Sequence, residues 1–442
     1  MPRTHTPVAD IRHPYMPGSA RAAFAYPDFR RMWAGSFASN VGTWMQNVVL
    51  PAYVYERTGK ASMVALVSFA QLGPLLILSI PAGVIADRFD RRRWLIAMQV
   101  VQLCFSALLA PLAAVDASLV WLFLVALGVG CGNALNAPAW AAMLPTLVRK
   151  TDLLGAISLN SVMINGSRVM GPVIVAVLSQ FGMTTAQFFM MNAATYLFVI
   201  LALLRTSLPP TPPVKKEPAL RSFTSGLRIA RARPVISRLL LTLFTFSLVS
   251  LPFIGLFPAV ARLNFGIDEK APAYKWLYAT WGLGACLGGL AIGTVFVAWD
   301  QRRLIQYGFA AFGASLAGFA LARESIGAFT VGFVLGFFYF GTTTAMSTIF
   351  QGRASDNERG RLMSLWFVSF GGTVAIGPLI FGPIVDAIGA RWVLLAGAAW
   401  SVFLAWWCNL RRLDRLHGLQ DDDPSLESDH ATAFDEEGVT SG

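Results

Sequence analysis

Twelve runs of mostly apolar residues follow one another along the chain, separated by short polar turns. Each run is long enough for an α-helix to cross a bilayer, which takes about 20 residues. Hydrophobic residues make up 55% of the chain and charged residues only 13%, against roughly 25% charged in soluble domains. The runs cover residues 32–55, 62–86, 94–115, 118–143, 154–181, 185–205, 236–261, 273–299, 304–322, 325–349, 362–386 and 391–411. The sequence therefore predicts an all-α membrane protein with twelve transmembrane helices.

The turn between the second and third runs is densely charged. It reads Gly83-Val-Ile-Ala-Asp87-Arg88-Phe-Asp90-Arg91-Arg92-Arg93. A shift of 210 positions places Gly83, Asp90, Arg92 and Arg93 on Gly293, Asp300, Arg302 and Arg303, again between two apolar runs. A shift of 206 positions similarly relates Asp152, Gly166 and Gly171-Pro172 to Glu358, Gly372 and Gly377-Pro378. These repeats indicate two homologous, pseudo-symmetric six-helix halves, an architecture of membrane transporters.

The longest hydrophilic stretch inside the chain, residues 206–235, divides the runs six and six. Its second part is basic and contains apolar residues, so it fits either a short helix on the lipid headgroups or a solvated connector. The tail after Arg415 is acidic and is expected to be disordered. The predicted organisation is a cytoplasmic tail (1–31), a first half (32–205), a cytoplasmic linker (206–235), a second half (236–411) and an acidic cytoplasmic tail (412–442).

The net charge of +11 reflects membrane topology and gives no reason to expect a nucleic-acid partner. With the N-terminus inside the cell, most of the 35 Lys and Arg residues fall in the tails and the cytoplasmic turns. Seven fall outside, and one, Arg168, falls within an apolar run. This asymmetry is typical of cytoplasmic loops. It predicts a multi-pass protein of the bacterial cytoplasmic (inner) membrane with both termini in the cytoplasm, its basic residues close to lipid headgroups.

Cysteine and histidine give no sign of a metal or redox site. The four cysteines are scattered singly through apolar runs, and all four histidines lie in the tails. No cofactor, metal site or catalytic residue is predicted, and this disfavours an integral membrane enzyme.

Several stretches resemble the major facilitator superfamily, and the match runs nearly end to end. Gly83-x-x-x-Asp87-Arg88-x-x-Arg91-Arg92 is similar to the superfamily's signature between its second and third helices, with Asp90 in place of the usual glycine. The variant Ala86-Asp-Arg-Phe-Asp-Arg-Arg92 resembles the branch that holds macrolide, siderophore and multidrug exporters. Further similar stretches are Gly42-Thr-Trp44-Met-Gln46, Asn136-Ala-Pro138-Ala, Leu144-Pro145-Thr-Leu-Val148, Asn165-Gly-Ser-Arg168-Val-Met-Gly171-Pro172 and Glu358-Arg359-Gly360-Arg361-Leu-Met-Ser364.

The resemblance implies a gate at the cytoplasmic ends of the helices. Asp87 is expected near the N-terminal end of the eleventh helix, where the helix dipole favours a carboxylate. Arg88 and Arg92 would hold neighbouring helix ends together while the transporter faces outward. The gate residues expected in this way are Asp87, Arg88, Arg91, Arg92, Glu358, Arg359 and Arg361. A pure topology signal is the alternative for this turn.

Arg168 is the one charge expected in the middle of the membrane, about 14 residues or ~20 Å from either end of its run. Such a charge usually faces the interior of a helix bundle and has a function. In the fold that the chain resembles, polar and aromatic residues at helical spacing on four helices would join it in a substrate cavity. These residues are Asn40, Trp44, Asn47, Asn133, Asn136, Asn165 and Trp366. Structural hydrogen bonding, of Arg168 to backbone carbonyls and of the amides between helices, is the alternative.

Two Gly-Pro pairs, Gly171-Pro172 and Gly377-Pro378, are expected to bend their helices and to let neighbours approach closely. The first pair partly resembles a motif of exporters. No acidic residue falls in the middle of a run, so a proton carrier is not obvious. Glu56, at the outer end of the first run, is the best candidate, and a solvated residue paired with Arg57 is its alternative.

We therefore predict a monomeric secondary active transporter that works by alternating access. It would export small amphiphilic or drug-like molecules across the cytoplasmic membrane in exchange for protons. A dedicated exporter of an anionic metabolite such as a siderophore is the alternative, suggested by Arg168.

Overall fold

A computed structural model describes residues 13–86, 89–206, 219–322 and 324–416, and these residues form helices and turns without a strand. Twelve long helices, α1–α12, follow one another. They are Pro27–Thr58, Ala61–Ala86, Arg91–Ala114, Leu119–Met143, Leu153–Gln180, Thr185–Arg205, Pro234–Phe265 (α7, in three pieces), Pro272–Thr294, Gln301–Leu321, Ser325–Gly352, Asp356–Ile388 (α11, in two pieces joined by a π-helical turn) and Ala390–Trp407. Short helices at Ala20–Phe24, Ala219–Ala232 and Leu410–Leu416 lie outside this set.

Ten helices in the described part of the chain are long and apolar enough to cross a membrane. The broken α7 and the 32-residue α1, whose polar side chains lower its mean hydropathy, complete the twelve. The predicted all-α membrane fold is confirmed. The division into two domains and two tails stays a prediction, and residues 1–12, 207–218 and 417–442 lie outside the described residues.

Two helices differ from the continuous runs that the sequence predicts. α7 is interrupted between Pro234–Val249, Pro252–Gly255 and Phe257–Phe265 because Pro252 and Pro258 each remove a backbone donor. α11 contains a π-helical turn over residues 368–372, which ends at two adjacent glycines. Hydrophobicity alone does not reveal such breaks.

The repeated acids of the charged turns cap helices. Asp90 accepts a hydrogen bond from the backbone N of Arg93 at 2.9 Å and begins α3. Asp300 accepts one from the backbone N of Arg302 at 2.9 Å and begins α9. Burial alone would raise the pKa of Asp300, but this bond and the Arg411 guanidinium bring it below its ordinary value. The repeat therefore preserves an N-cap in each half.

The other repeated pair of acids, Asp152 and Glu358, binds the segments that precede α1 and α7. Asp152, at the start of α5, is buried and accepts hydrogen bonds from the Tyr26 hydroxyl (2.7 Å) and the Gly18 backbone (3.1 Å). Burial and the bond to Asp152 raise the pKa of Tyr26 to about 12, so its hydroxyl stays a donor at neutral pH. Glu358, at the start of α11, forms an ion pair of 2.7 Å with Arg233, the residue before α7.

The six helices before residue 206, here the first half, meet the six after residue 233, the second half, along two seams. α2 lies against α11, and α5 lies against α8. We call the end of the bundle that carries residues 89–90, 144–152, 295–300 and 219–233 the linker end. The helix Ala219–Ala232 packs there on α11, with Gly226 close to the Arg361 carbonyl, and a bend of 115° separates it from α7.

Candidate functional site

Arg168 lies on α5 at the seam between the two halves. Its guanidinium carbon is 5.0 Å from the ring centre of Trp44 on α1 and 4.9 Å from that of Phe340 on α10. One aromatic ring thus comes from each half, and both rings attract the cation through their faces.

The edge of this guanidinium has unsatisfied donors. Within the described residues, Nε and Nη1 of Arg168 are buried without a hydrogen-bond partner. Buried polar groups in proteins are nearly always paired, so two donor nitrogens without a partner on a cation indicate that an acceptor can complete this site. An anionic acceptor fits best because little water is present to screen the charge.

Aromatic residues of the second half form a wall beside Arg168. Tyr339 stacks on Trp281 of α8 at 5.7 Å and on Phe370 of α11 at 6.5 Å. The indole nitrogen of Trp281 is a further buried donor without a partner among the described residues. Rings with polar edges suit a ligand that is itself partly aromatic.

Two glycines position the helices around Arg168. Gly171 lies so close to α1 that a Cβ atom would be 2.6 Å from the Trp44 Cβ and 2.9 Å from the Met45 nitrogen. Gly282 brings α8 near the Arg168 carbonyl, where a Cβ atom would be 3.4 Å away. Because α1 approaches at Gly171, the Trp44 ring reaches the guanidinium one turn away.

Accessibility shows how the site is reached. On α1, the stripe Trp33, Phe37, Asn40, Trp44 and Asn47 is half-buried, whereas every residue from 48 to 55 is buried. The stripe on α5 runs from the exposed Ser158 and Ser161 through the half-buried Asn165 and Arg168 to the buried Pro172. Both helices start at the linker end, so the accessible surface leads from that end to the depth of Arg168 and stops there.

The predicted amides behave partly as structural residues. Asn40 and Asn165 donate to carbonyls one turn earlier in their own helices, at 2.8 and 2.9 Å, and Asn136 accepts from Gln99 at 3.3 Å. Asn47 and Asn133 are half-buried.

Trp366 differs from its expected place in the cavity, since it is buried against Phe350 with ring centres 5.0 Å apart. The following residue, Phe367, is the exposed one because the helix turns by about 100° per residue.

The expected gate residues that the structure describes form contacts within each half. Arg91 donates to the Ala142 carbonyl (3.1 Å) and Arg92 to the Leu204 carbonyl (2.5 Å), at the C-terminal ends of α4 and α6. Cations are favoured at such helix ends. Arg361 approaches the linker helix through its carbonyl near Gly226. Asp87 and Arg88 and the side chain of Arg359 lie outside the described residues, and the gate role of the set stays a prediction.

Glu56 lies at the end opposite the linker, and its partner differs from the one considered from sequence. It forms an ion pair of 2.8 Å with Lys270 of the second half, and this hydrogen bond raises the pKa of Lys270. Arg57 turns away to the carbonyls of Asp116 and Ala117. Glu56 also lines a cavity of about 640 Å³ between the halves at this end, well away from Arg168.

The second Gly-Pro pair packs on the break in α7. A Cβ atom on Gly377 would be 3.0 Å from the Leu248 carbonyl, and one on Gly255 would be 2.6 Å from the Pro378 ring.

The described residues contain no group of three or more metal-ligating side chains.

Sequence reasoning missed Phe340, Tyr339 and Trp281. The run of four aromatic residues Phe337-Phe338-Tyr339-Phe340 was an available signal. Its direction toward Arg168 depends on how the two halves dock, which the sequence pattern does not give.

A twelve-helix bundle with a half-buried cation between its halves, reached from one end, has the architecture of a membrane transporter. The chain belongs to the transmembrane secretion effector family of the major facilitator superfamily, whose family description matches residues 18–434. It is a multi-pass secondary transporter and not an enzyme.

Similar proteins agree with this family. The chain is 26% identical over 392 residues to the enterobactin exporter EntS of Escherichia coli O1:K1, covering 86% of this chain and 89% of the relative. The match to EntS of Shigella boydii serotype 18 is 26% over 394 residues, with the same coverage. Among solved structures, the POT family transporter PepTSo superposes with a TM-score of 0.71 at 13% identity, covering 90% of this chain and 99% of that one. A bacterial homologue of the lysosomal transporter Spinster gives 0.68 at 16% identity, covering 87% and 97%. These structures show the fold alone.

Proposed function

We propose that this transporter exports a small molecule carrying a planar anionic group, aromatic or catecholate-like, from the cytoplasm by alternating access. The observation that carries the proposal is the Arg168 guanidinium, which lies 5.0 and 4.9 Å from the ring centres of Trp44 and Phe340 and has two buried nitrogen donors without a partner among the described residues. Of the two substrate classes considered from sequence, the anionic metabolite is favoured over a broad range of amphiphilic drugs. A cationic drug would be repelled by the positive charge of Arg168.

The geometry of arginine supports a carboxylate or catecholate. The planar fork of a guanidinium presents parallel N–H donors that match two oxygen atoms, and such charge-assisted pairs are among the stronger hydrogen bonds. An aromatic ring on the ligand can pack on Phe340, which is half-buried, whereas Tyr339 and Trp281 are buried. Relatives that are named as exporters of enterobactin, a siderophore, are compatible with this class of substrate.

Loading from the cytoplasm follows if the linker end faces inward. The excess of Lys and Arg in the loops at that end favours this orientation, with both termini inside a bacterial inner membrane. The accessible stripes of α1 and α5 then lead from the cytoplasm to Arg168, and the residues of α1 beyond it, 48–55, are buried. The expected gate of Asp87, Arg88 and Arg92 would close the cytoplasmic end in the outward-facing state.

A competition experiment tests the substrate class. The protein is reconstituted in liposomes, and counterflow of radiolabelled 2,3-dihydroxybenzoate is measured with three competitors: benzoate, cyclohexanecarboxylate and benzyltrimethylammonium. We expect benzoate to compete best, cyclohexanecarboxylate less well because it lacks the aromatic ring, and benzyltrimethylammonium not at all. Stronger competition by the cation than by benzoate would contradict the proposal and favour export of cationic drugs.

We further propose exchange for protons by a monomer, with Glu56 as the candidate proton carrier. If Glu56 carries the proton, Glu56→Gln should remove transport driven by a pH gradient and leave counterflow intact, because counterflow needs no net proton movement. Both activities are measured in the same liposomes, with Glu324→Gln, an exposed acid at the same end, as control. Unchanged gradient-driven transport in Glu56→Gln would exclude Glu56, and its ion pair with Lys270 would then be structural.

A further inference from the structure

An acidic residue, Asp386, lies near the C-terminal end of its own helix. Asp386 is two residues before the C-terminal end of α11, where the helix dipole is unfavourable for a carboxylate. Its oxygen atoms accept hydrogen bonds from the backbone nitrogens of Ala61 and Ser62, at 2.6 and 3.0 Å. These are the first two residues of α2, in the other half. The first N–H groups of a helix lack partners within it and carry partial positive charge, so they stabilise Asp386 across the seam.

The backbones of α2 and α11 also approach closely beside this contact. Gly382 lies one turn before Asp386, and a Cβ atom there would be 3.0 Å from the Ser62 Cα and 3.1 Å from the Ala65 Cβ. Two turns along α2, the Ser68 hydroxyl donates to the Gly255 carbonyl of α7 at 3.0 Å. The first eight residues of α2 are therefore held to the second half at three successive levels.

The ion pair between Glu56 and Lys270 joins the halves at the same end. Lys270 is exposed and Glu56 lines the open 640 Å³ cavity, so solvent screens this pair. Asp386 is exposed as well, and the capping of α2 is the better supported restraint because it satisfies two backbone donors and is accompanied by the close packing at Gly382.

We infer that Asp386 and Gly382 form an exit latch, defined by their contacts with Ala61, Ser62 and Ala65, that holds the end opposite the linker closed. Substrate leaves when this latch opens and α11 separates from α2. The inference goes beyond the substrate site, since it concerns the balance between two states of the empty protein.

The latch has a counterpart in the gate expected at the linker end. There Asp87, which follows α2, is expected at the N-terminal end of α11. At the opposite end Asp386, near the end of α11, caps the N-terminus of α2. At each end one of these two helices would supply the acid and the other its N-terminus, with the roles reversed between the ends. When the halves rock, one contact would break as the other forms.

Distance measurements by double electron–electron resonance test the latch in the full-length protein without substrate. The four native cysteines, Cys104, Cys131, Cys286 and Cys408, are replaced by alanine. Spin labels are placed at the exposed Val115 and Ile326 to report on the latch end, or at the exposed Phe89 and Val297 to report on the linker end. Each pair spans the two halves and lies away from the latch residues.

Asp386→Ala should increase the population with the latch end open about three- to tenfold and shorten the distances at the linker end. Gly382→Leu should act in the same direction by wedging α11 away from α2. The control is Asp268→Ala, since Asp268 is an acid near the same end whose partners, the Arg262 guanidinium at 2.8 Å and the Lys270 backbone N at 2.9 Å, both lie in its own half. This control should leave the distances unchanged.

Wild-type distance distributions in a folded, monodisperse Asp386→Ala would overturn the latch, whatever Gly382→Leu does. An equal shift in Asp268→Ala would also overturn it, because the effect would then be one of surface charge. Neither result depends on the substrate, so failure of the latch is distinguishable from failure of the anion site.

Discussion

Arg168→Lys is expected to lower export of aromatic anions about 10- to 100-fold although the positive charge is kept. Lysine keeps the point charge but loses the planar fork that pairs with two oxygen atoms. Initial rates of labelled 2,3-dihydroxybenzoate transport, normalised to the amount of protein in the liposomes, measure the loss. Equal rates in Arg168→Lys and the wild type would remove the guanidinium from substrate recognition.

The stability of Arg168→Met separates a binding role from a structural one. A buried cation without an anionic partner costs free energy, and an apolar side chain of similar length relieves that cost. We therefore expect Arg168→Met to abolish anion transport while its unfolding temperature stays the same or rises. Arg238→Met is the matched control, because Arg238 also lies over a tryptophan ring (4.0 Å from Trp407) but donates to a backbone carbonyl.

Arg238→Met is expected to lower the unfolding temperature without changing substrate preference. If Arg168→Met instead loses several degrees and transports every substrate poorly, Arg168 is a structural residue. That outcome would restore the alternative considered from sequence, in which the guanidinium serves only to bond helices together.

The second large effect is expected at Gly171. In Gly171→Ala the new methyl group would lie 2.6 Å from the Trp44 Cβ and 2.9 Å from backbone atoms of Val41 and Met45, none of which can move alone. Overpacking of this kind destabilises by about 1–3 kcal/mol. Separation of α1 from α5 should also displace Trp44 from Arg168, so transport should fall together with the unfolding temperature.

Gly166→Ala provides the control in the same helix. A Cβ atom there meets only the Phe37 ring, at an ordinary 3.5 Å, and alanine favours a helix over glycine by about 1 kcal/mol. This variant should be as stable as the wild type or more so. Equal effects of the two substitutions would show that the close approach of α1 at Gly171 is not required. The Gly-Pro pair would then serve only to bend α5.

The sequence predicts the helices, the family and the buried charge well because each depends on local composition. Runs of apolar residues define the spans, and a lone arginine within one of them is visible without any structure. The repeated acids were also visible, but their roles were not. Asp90 and Asp300 cap helices, and Asp152 and Glu358 hold the chain that precedes each half.

Features that depend on the docking of the two halves could not be predicted. Phe340 reaches Arg168 from the other half, Lys270 replaces Arg57 as the partner of Glu56, and Asp386 finds its partner more than 300 residues earlier in the chain. Each contact joins residues that are far apart in sequence. The breaks in α7 and the π-helical turn in α11 lie in runs that remain hydrophobic throughout, so hydropathy does not show them.

Photoaffinity labelling tests the central claim, that an aromatic anion binds at Arg168 between the two halves. The reconstituted protein is irradiated with 4-azidosalicylate, with and without excess salicylate, and the modified peptides are identified by mass spectrometry. We expect modification on α1 and α10 around Trp44 and Phe340, suppressed by salicylate and strongly reduced in Arg168→Lys. Modification confined to the cavity beside Lys270 and Tyr274, at the same yield in Arg168→Lys, would contradict the claim.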